Sequence, residues 1–90
     1  MIEPNQLKNN INIIDIRDNY NYNKGHIPNA INIPESKLLI IPNYYLKRNE
    51  IYYIYCKNGT RSSQVVNTLN QLGFKAVNIN GGYNNYLLMK

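Results

Sequence analysis

Apolar and polar positions along this 90-residue chain fall into short blocks with two different periods. Ile11, Ile13, Ile14 and Ile16 form a β-branched block that predicts a strand ending at Asp15-Ile16-Arg17-Asp18. Ile51-Tyr52-Tyr53-Ile54-Tyr55 is a continuous apolar and aromatic run bounded by polar residues, the pattern of a strand buried on both faces. Ala30-Ile31-Asn32-Ile33 and Ala76-Val77-Asn78-Ile79 read as further short strands, and Met1-Ile2 as a brief edge strand. Helical spacing takes over between them. Val65, Val66, Leu69 and Leu72 share one stripe of a helix beginning near Ser62. Its end at Leu72-Gly73-Phe74 fits a glycine cap with Phe74 folding back towards Leu69. Pro34-Glu35-Ser36 opens a helix over Leu38, Leu39, Ile40 and Ile41 that Pro42 stops. Pro4 opens a short helix through Leu7 and Lys8, and Gly81-Gly82 turn the chain into a terminal helix carrying Tyr83, Tyr86, Leu87 and Leu88. Asn19 to Lys24 is polar and turn-prone, with at most one helical turn, and residues 43–50 read as a polar-aromatic connector. Strands alternating with helices predict an α/β fold, a parallel sheet covered on both faces. The length suits one domain over residues 1–90.

The chemistry gathers at one place in this pattern. Cys56-Lys57-Asn58-Gly59-Thr60-Arg61-Ser62 follows the central strand directly and leads into the helix. In open α/β sheets ligands bind at the carboxyl ends of strands, and a helix N-terminus offers free N–H groups to an anion. A thiol placed there ionises more easily than a free one. The bland alternative is a small buried hydrophobe, the usual fate of a lone cysteine. Gly59, Lys57 and Arg61 make the surroundings open and electropositive instead, which favours a reactive thiol.

The loop Cys56-x-x-Gly59-x-Arg61-Ser62 resembles the active-site loop of the rhodanese-like domains, which transfer sulfane sulfur. Three other stretches fall in that family's order: Asp15-Ile16-Arg17, Gly25-His26-Ile27-Pro28-Asn29-Ala30, and the glycine pair Gly81-Gly82. The resemblance spans the chain nearly end to end. It implies a three-layer α/β/α fold with a parallel sheet of about five short strands. It also implies a sulfurtransferase in which Cys56 is the nucleophile and carries a persulfide. The residues that would bind substrate are Lys57, Asn58, Gly59, Thr60, Arg61 and Ser62, their backbone N–H groups curled around the sulfur. Asp15 and Arg17 are expected to support the loop, Asp15 through a structural ion pair with Arg61. Lys57 is either an exposed loop lysine or a charge that favours anionic donors. His26 could act as a base for Cys56, but the resemblance places it in a structural turn. The expected partners are small sulfur-containing anions or persulfides and an external thiol acceptor, which could be a protein; no metal or organic cofactor is implied.

Composition trims the alternatives. A single cysteine excludes an internal disulfide and a resolving thiol within the chain. The first residues lack a signal-peptide pattern and no apolar run approaches membrane length, so cytoplasmic is the default expectation, without a membrane partner. Net charge is +5, but the Lys and Arg residues are scattered, which argues against nucleic-acid binding. Two rival functions stand beside sulfurtransfer. One is a cysteine-dependent phosphatase or arsenate reductase-like enzyme, which places an arginine six positions after the nucleophile, where this chain has Ser62. The other is a non-catalytic interaction module on the same fold.

Overall fold

The computed structural model describes residues 1–90. Four short parallel strands form its sheet: β1 (Asn12–Asp15), β2 (Ile31–Asn32), β3 (Ile51–Tyr55) and β4 (Lys75–Asn78), in the order β2-β1-β3-β4. Five helices connect or follow them: α1 (Asn19–Lys24), α2 (Glu35–Ile40), α3 (Pro42–Tyr45), α4 (Thr60–Gln71) and α5 (Gly82–Met89). The strand count is four where about five were expected. Met1-Ile2 contributes only a single bridge, Ile2 to Ile79, with Ile2 N–H donating to the Asn78 carbonyl at 3.0 Å. Pro4 cuts this segment short, because its φ suits the 3₁₀ turn Pro4–Gln6 that follows.

Alternation along the strands divides the interior into two cores. Ile14, Ile16, Tyr52, Ile54 and Cys56 face α2 and α4, packing against Leu38, Val65, Val66, Leu69 and Phe74. Ile13 and Tyr55 point the other way and meet Ile27, Ala30 and Ile79, with Tyr22, Tyr83 and Tyr86 closing over them. A period of two puts successive side chains on opposite faces, so these strands are apolar at consecutive positions. Leu38, Ile54, Tyr55 and Leu69 are fully enclosed.

Three local expectations need correction. The long helix begins at Thr60, two residues earlier than the apolar stripe suggested, because its first turn is held by groups of the cysteine loop. The segment Asn19 to Lys24 is a six-residue helix with Asp18 as its cap, the carboxylate accepting from Asn21 N–H at 2.8 Å. Pro42 stops α2 as expected, but it also opens α3 inside the presumed connector. The end of α4 matches the expected glycine cap: Gly73 adopts φ 95°, and Phe74 N–H donates to Leu69 O at 3.0 Å.

The strand order fixes where a site can form. From β1 the chain crosses to β2 on one side, and from β3 to β4 on the other. The loops after β1 and β3 therefore diverge, leaving a crevice above the carboxyl ends of two neighbouring strands. Asp15 is in register with Tyr55, which sets Arg17 and Lys57 on opposite rims of that crevice.

Core burial gives a direct test. Leu69→Ala removes a fully enclosed side chain and should cost about 2–5 kcal/mol in urea unfolding, whereas Leu88→Ala on the exposed face of α5 should stay within about 0.5 kcal/mol.

Candidate functional site

Cys56 is the first residue beyond β3, and its Sγ points back under the turn that follows. Gly59 N–H donates to this sulfur at 3.2 Å and Ser62 N–H at 3.3 Å, while Ser62 Oγ lies 3.4 Å away. Gly59 is the residue that precedes α4, and it has no side chain to cap the helix. The sulfur does that work instead, accepting the N–H of the third helical residue as a capping oxygen would. The curl needs φ 95° at Gly59, and a Cβ there would lie 3.2 Å from Gly81 N. Among the chain's hydrogen bonds, the N–H groups of Lys57 and Arg61 find no acceptor.

Burial pushes the Cys56 thiol up, because an ion in that place would lose water. The Ser62 hydroxyl and the backbone N–H groups of Ser62, Gly59 and Asn58 outweigh this and hold the thiol below its ordinary value. Arg61 and the sulfur also attract one another through charge, the smallest of the effects on Arg61. Aimed dipoles thus lead, ahead of the expected help from positive side chains. Ser62 Oγ has one proton and also lies 2.6 Å from Asn78 Oδ1 and 3.3 Å from Gly59 O. With a neutral thiol, S–H donates to Oγ and the hydroxyl donates its own proton to a hydrogen bond with Asn78 Oδ1. With a thiolate, the hydroxyl must turn its proton to the sulfur.

The loop is gripped from behind by α5. Tyr83 N–H donates to Cys56 O and Asn84 N–H to Lys57 O, each at 2.9 Å. These are first-turn groups of α5 that have no partner inside the helix. Gly82, at φ 63°, permits the contact, since a Cβ there would run into the Cys56 and Lys57 backbone.

Asp15 is completely buried, and the structure pairs it with Arg17, not with the expected Arg61. Arg17 Nε and Nη2 grasp the carboxylate at 2.7–3.1 Å, and Arg17 N–H adds a bond at 2.9 Å. Nη2 also donates to Gly25 O at 2.6 Å, and the guanidinium lies over the Tyr83 ring at 4.3 Å. A partner two residues away satisfies the buried carboxylate better than one across the cleft, and it ties β1, the Gly25 turn and α5 together. Arg61 is two-thirds exposed and turns outward to Glu35, with Nε to Oε1 at 3.0 Å and Nη2 to Oε2 at 2.8 Å. This carboxylate raises the Arg61 pKa.

Above the sulfur lies an open cleft of about 910 Å³. Cys56, Lys57, Asn58 and Arg61 line it on one side, Arg17 and Glu35 on another, and Tyr83 and Leu87 on a third. Asn58 turns its side chain back on the loop, Oδ1 accepting Thr60 N–H at 3.1 Å, and Thr60 itself is exposed. His26 takes no part here: its Nδ1 lies 2.8 Å from Tyr22 O, and its ring stacks on Tyr22 with centroids 3.8 Å apart. Sequence reasoning did not single out Glu35 or Asn78 as site residues. An acid in the first turn of α2 and an amide at the end of β4 were the only signals, and both are common helix and strand ends.

Comparison with known proteins places this geometry. The family model of the rhodanese-like domain matches residues 3–88. The crystal structure of SSP1007 from Staphylococcus saprophyticus superposes with a TM-score of 0.87 at 40% identity, covering 94% of this chain and 90% of that one. YrkF of Bacillus subtilis (strain 168), a proposed sulfur carrier protein, is 37% identical over 67 residues, which is 74% of this chain and 36% of YrkF. A tRNA sulfurtransferase of Pyrobaculum aerophilum is 34% identical over 67 residues, 74% of this chain and 14% of that protein. The chain therefore spans well under half the length of these two relatives.

The sulfur environment predicts the titration. Alkylation of Cys56 followed against pH should show a midpoint below the free-thiol value of about 8.5, and Ser62→Ala should move it upward. A midpoint that ignores Ser62→Ala would remove the hydroxyl from the account. Asp15→Asn should leave Arg17 without a counter-charge and cost about 3–5 kcal/mol in chemical unfolding.

Proposed function

The chain belongs to the rhodanese-like domain family, and from that premise we propose that it is a sulfurtransferase carrying sulfane sulfur as a persulfide on Cys56. The observation that carries this reading is the loop's curl around Sγ, with two N–H groups on the sulfur and those of Lys57 and Arg61 left over. The names of two relatives, a sulfur carrier and a tRNA sulfurtransferase, support the same class of chemistry.

In the first half-reaction the Cys56 thiolate attacks the outer sulfur of a donor. With thiosulfate, the new bond joins Sγ to that sulfur, and the old S–S bond breaks with its electron pair leaving on sulfite. Cys56 now bears an anionic terminal sulfur. The leftover N–H groups of Lys57 and Arg61 are the donors nearest in sequence to meet it, as an oxyanion hole meets oxygen. In the second half-reaction an acceptor thiolate or cyanide attacks the terminal sulfur, and the bonding pair returns to Sγ as thiolate. No general base is required, because hydrogen bonds already favour the ionised sulfur. With one cysteine in the chain, the acceptor must be external. Its burial also hinders contact between two copies of the sulfur, so a covalent dimer should not compete.

The phosphatase alternative asks for an arginine poised over the sulfur to grip a tetrahedral anion. Arg61 is committed outward to Glu35, which does not favour that reading.

Intact mass supplies the test. Incubation with thiosulfate or polysulfide should add one sulfur atom to the wild type and none to Cys56→Ser. The loaded form should survive gel filtration and be discharged by cyanide or a small thiol. Loss of the bound sulfur without acceptor, or hydrolysis of aryl phosphates that depends on Cys56, would overturn the proposal.

A further inference from the structure

The cleft carries more positive than negative side chains, but their pairing removes the excess. Arg17, Lys24, Lys57 and Arg61 line it. Arg17 is matched by Asp15 and Arg61 by Glu35. Asp18, also on the wall, offsets one lysine, and the Cys56 thiolate offsets the other. With its sulfur ionised, the neighbourhood is therefore close to neutral, and it offers a doubly charged inorganic donor no net attraction. Glu35, in the first turn of α2, is the acid of this set that faces Arg61. Its backbone N–H is anchored to Ile16 O at 3.1 Å, and its carboxylate holds the guanidinium of Arg61 by both oxygens. The space is also far larger than thiosulfate needs, and Ile16, Tyr83 and Leu87 give it apolar surface beside the sulfur.

We infer that Glu35 is a specificity-determining residue: by occupying Arg61 it turns the cleft away from dianionic thiosulfate and towards singly charged organic donors, whose apolar body rests on Tyr83 and Leu87. This rests on the proposed sulfurtransfer and concerns only the class of donor. The reaction is the same displacement, with an organic sulfinate or thiolate leaving in place of sulfite. An arginine freed from Glu35 would gain one unit of unmatched positive charge at the mouth, which an anion of charge two feels twice as strongly as an anion of charge one.

The experiment compares thiosulfate with benzenethiosulfonate, two donors that deliver the same sulfur from a dianion and a monoanion. The wild type should show the higher kcat/KM for benzenethiosulfonate. Glu35→Gln keeps the shape of the side chain and loses its charge. It should raise kcat/KM for thiosulfate about threefold to tenfold, mainly through KM, and for benzenethiosulfonate only by about the square root of that factor, roughly twofold to threefold. Added salt should shrink the gain. Glu35→Asp, which retains the charge, should stay within about twofold of the wild type on both donors. An equal gain on both donors, no gain, the same gain in Glu35→Asp, or a wild type that prefers thiosulfate would overturn the inference. If neither donor loads sulfur on wild-type Cys56, the sulfurtransfer reading itself falls and the inference with it. Loading that proceeds without the predicted selectivity refutes the role of Glu35 alone.

Discussion

Two backbone hydrogen bonds, from Tyr83 and Asn84 N–H to the carbonyls of Cys56 and Lys57, hold the site in its shape. They are possible only where a helix end can be pressed against a loop with no side chain between them, and Gly82 supplies that opening. The exchange serves both partners. The helix finds acceptors for first-turn donors that would otherwise need water, and the loop has its carbonyls drawn backwards, away from the sulfur. With those carbonyls turned to the rear, the N–H groups of the same two peptides, those of Lys57 and Asn58, point the opposite way, and Asn58 N–H joins those of Gly59 and Ser62 in lowering the thiol. A peptide has one donor side and one acceptor side, so fixing where the carbonyls go settles much of the electrostatics around Cys56.

The same economy runs through the sulfur. Cys56 belongs to the apolar core on the α4 side of the sheet, yet it is also the acceptor that starts α4. Burial raises the cost of a charge there, and the helix end lowers it by more. The balance makes ionisation and helix capping one event: the better the sulfur accepts, the better the first turn is held. Ser62 couples this pair to β4, because the hydroxyl that leans on the sulfur leans also on Asn78.

Much of this was legible in the sequence, and the reason differs from part to part. The β-branched run before Asp15 and the aromatic run before Cys56 are too apolar for a half-exposed edge, and the structure puts them at the two central positions of the sheet. The Leu72-Gly73-Phe74 cap was readable because its geometry is local: one glycine with a positive φ and one side chain folded back. Partners across space were not readable. Asp15 had two cations on offer, and nothing in the spacing said that Arg17, two residues away, could bend round to grip the carboxylate and reach Gly25 as well. The start of α4 was misplaced for a related cause. Its apolar stripe begins at Val65, so the first turn, held by a sulfur and backbone dipoles, leaves no mark on hydrophobic periodicity.

At the buried sulfur the positive side chains rank behind the aimed dipoles. A charged group on an exposed rim acts through water and is screened, while a peptide dipole fixed at 3.2 Å from a buried sulfur is not. Arg61 sits in the cysteine loop but is paired outward with Glu35, and the groups that lead in lowering Cys56 are the Ser62 hydroxyl and the backbone N–H groups around the sulfur. The division of labour follows. Backbone dipoles, which cannot be mutated away one at a time, stabilise the anionic sulfur. Side chains on the rim are left to pair with each other, as Arg61 does with Glu35. A net positive chain can thus carry a cleft whose charges are balanced within its own walls, because its arginines are already occupied by Asp15 and Glu35.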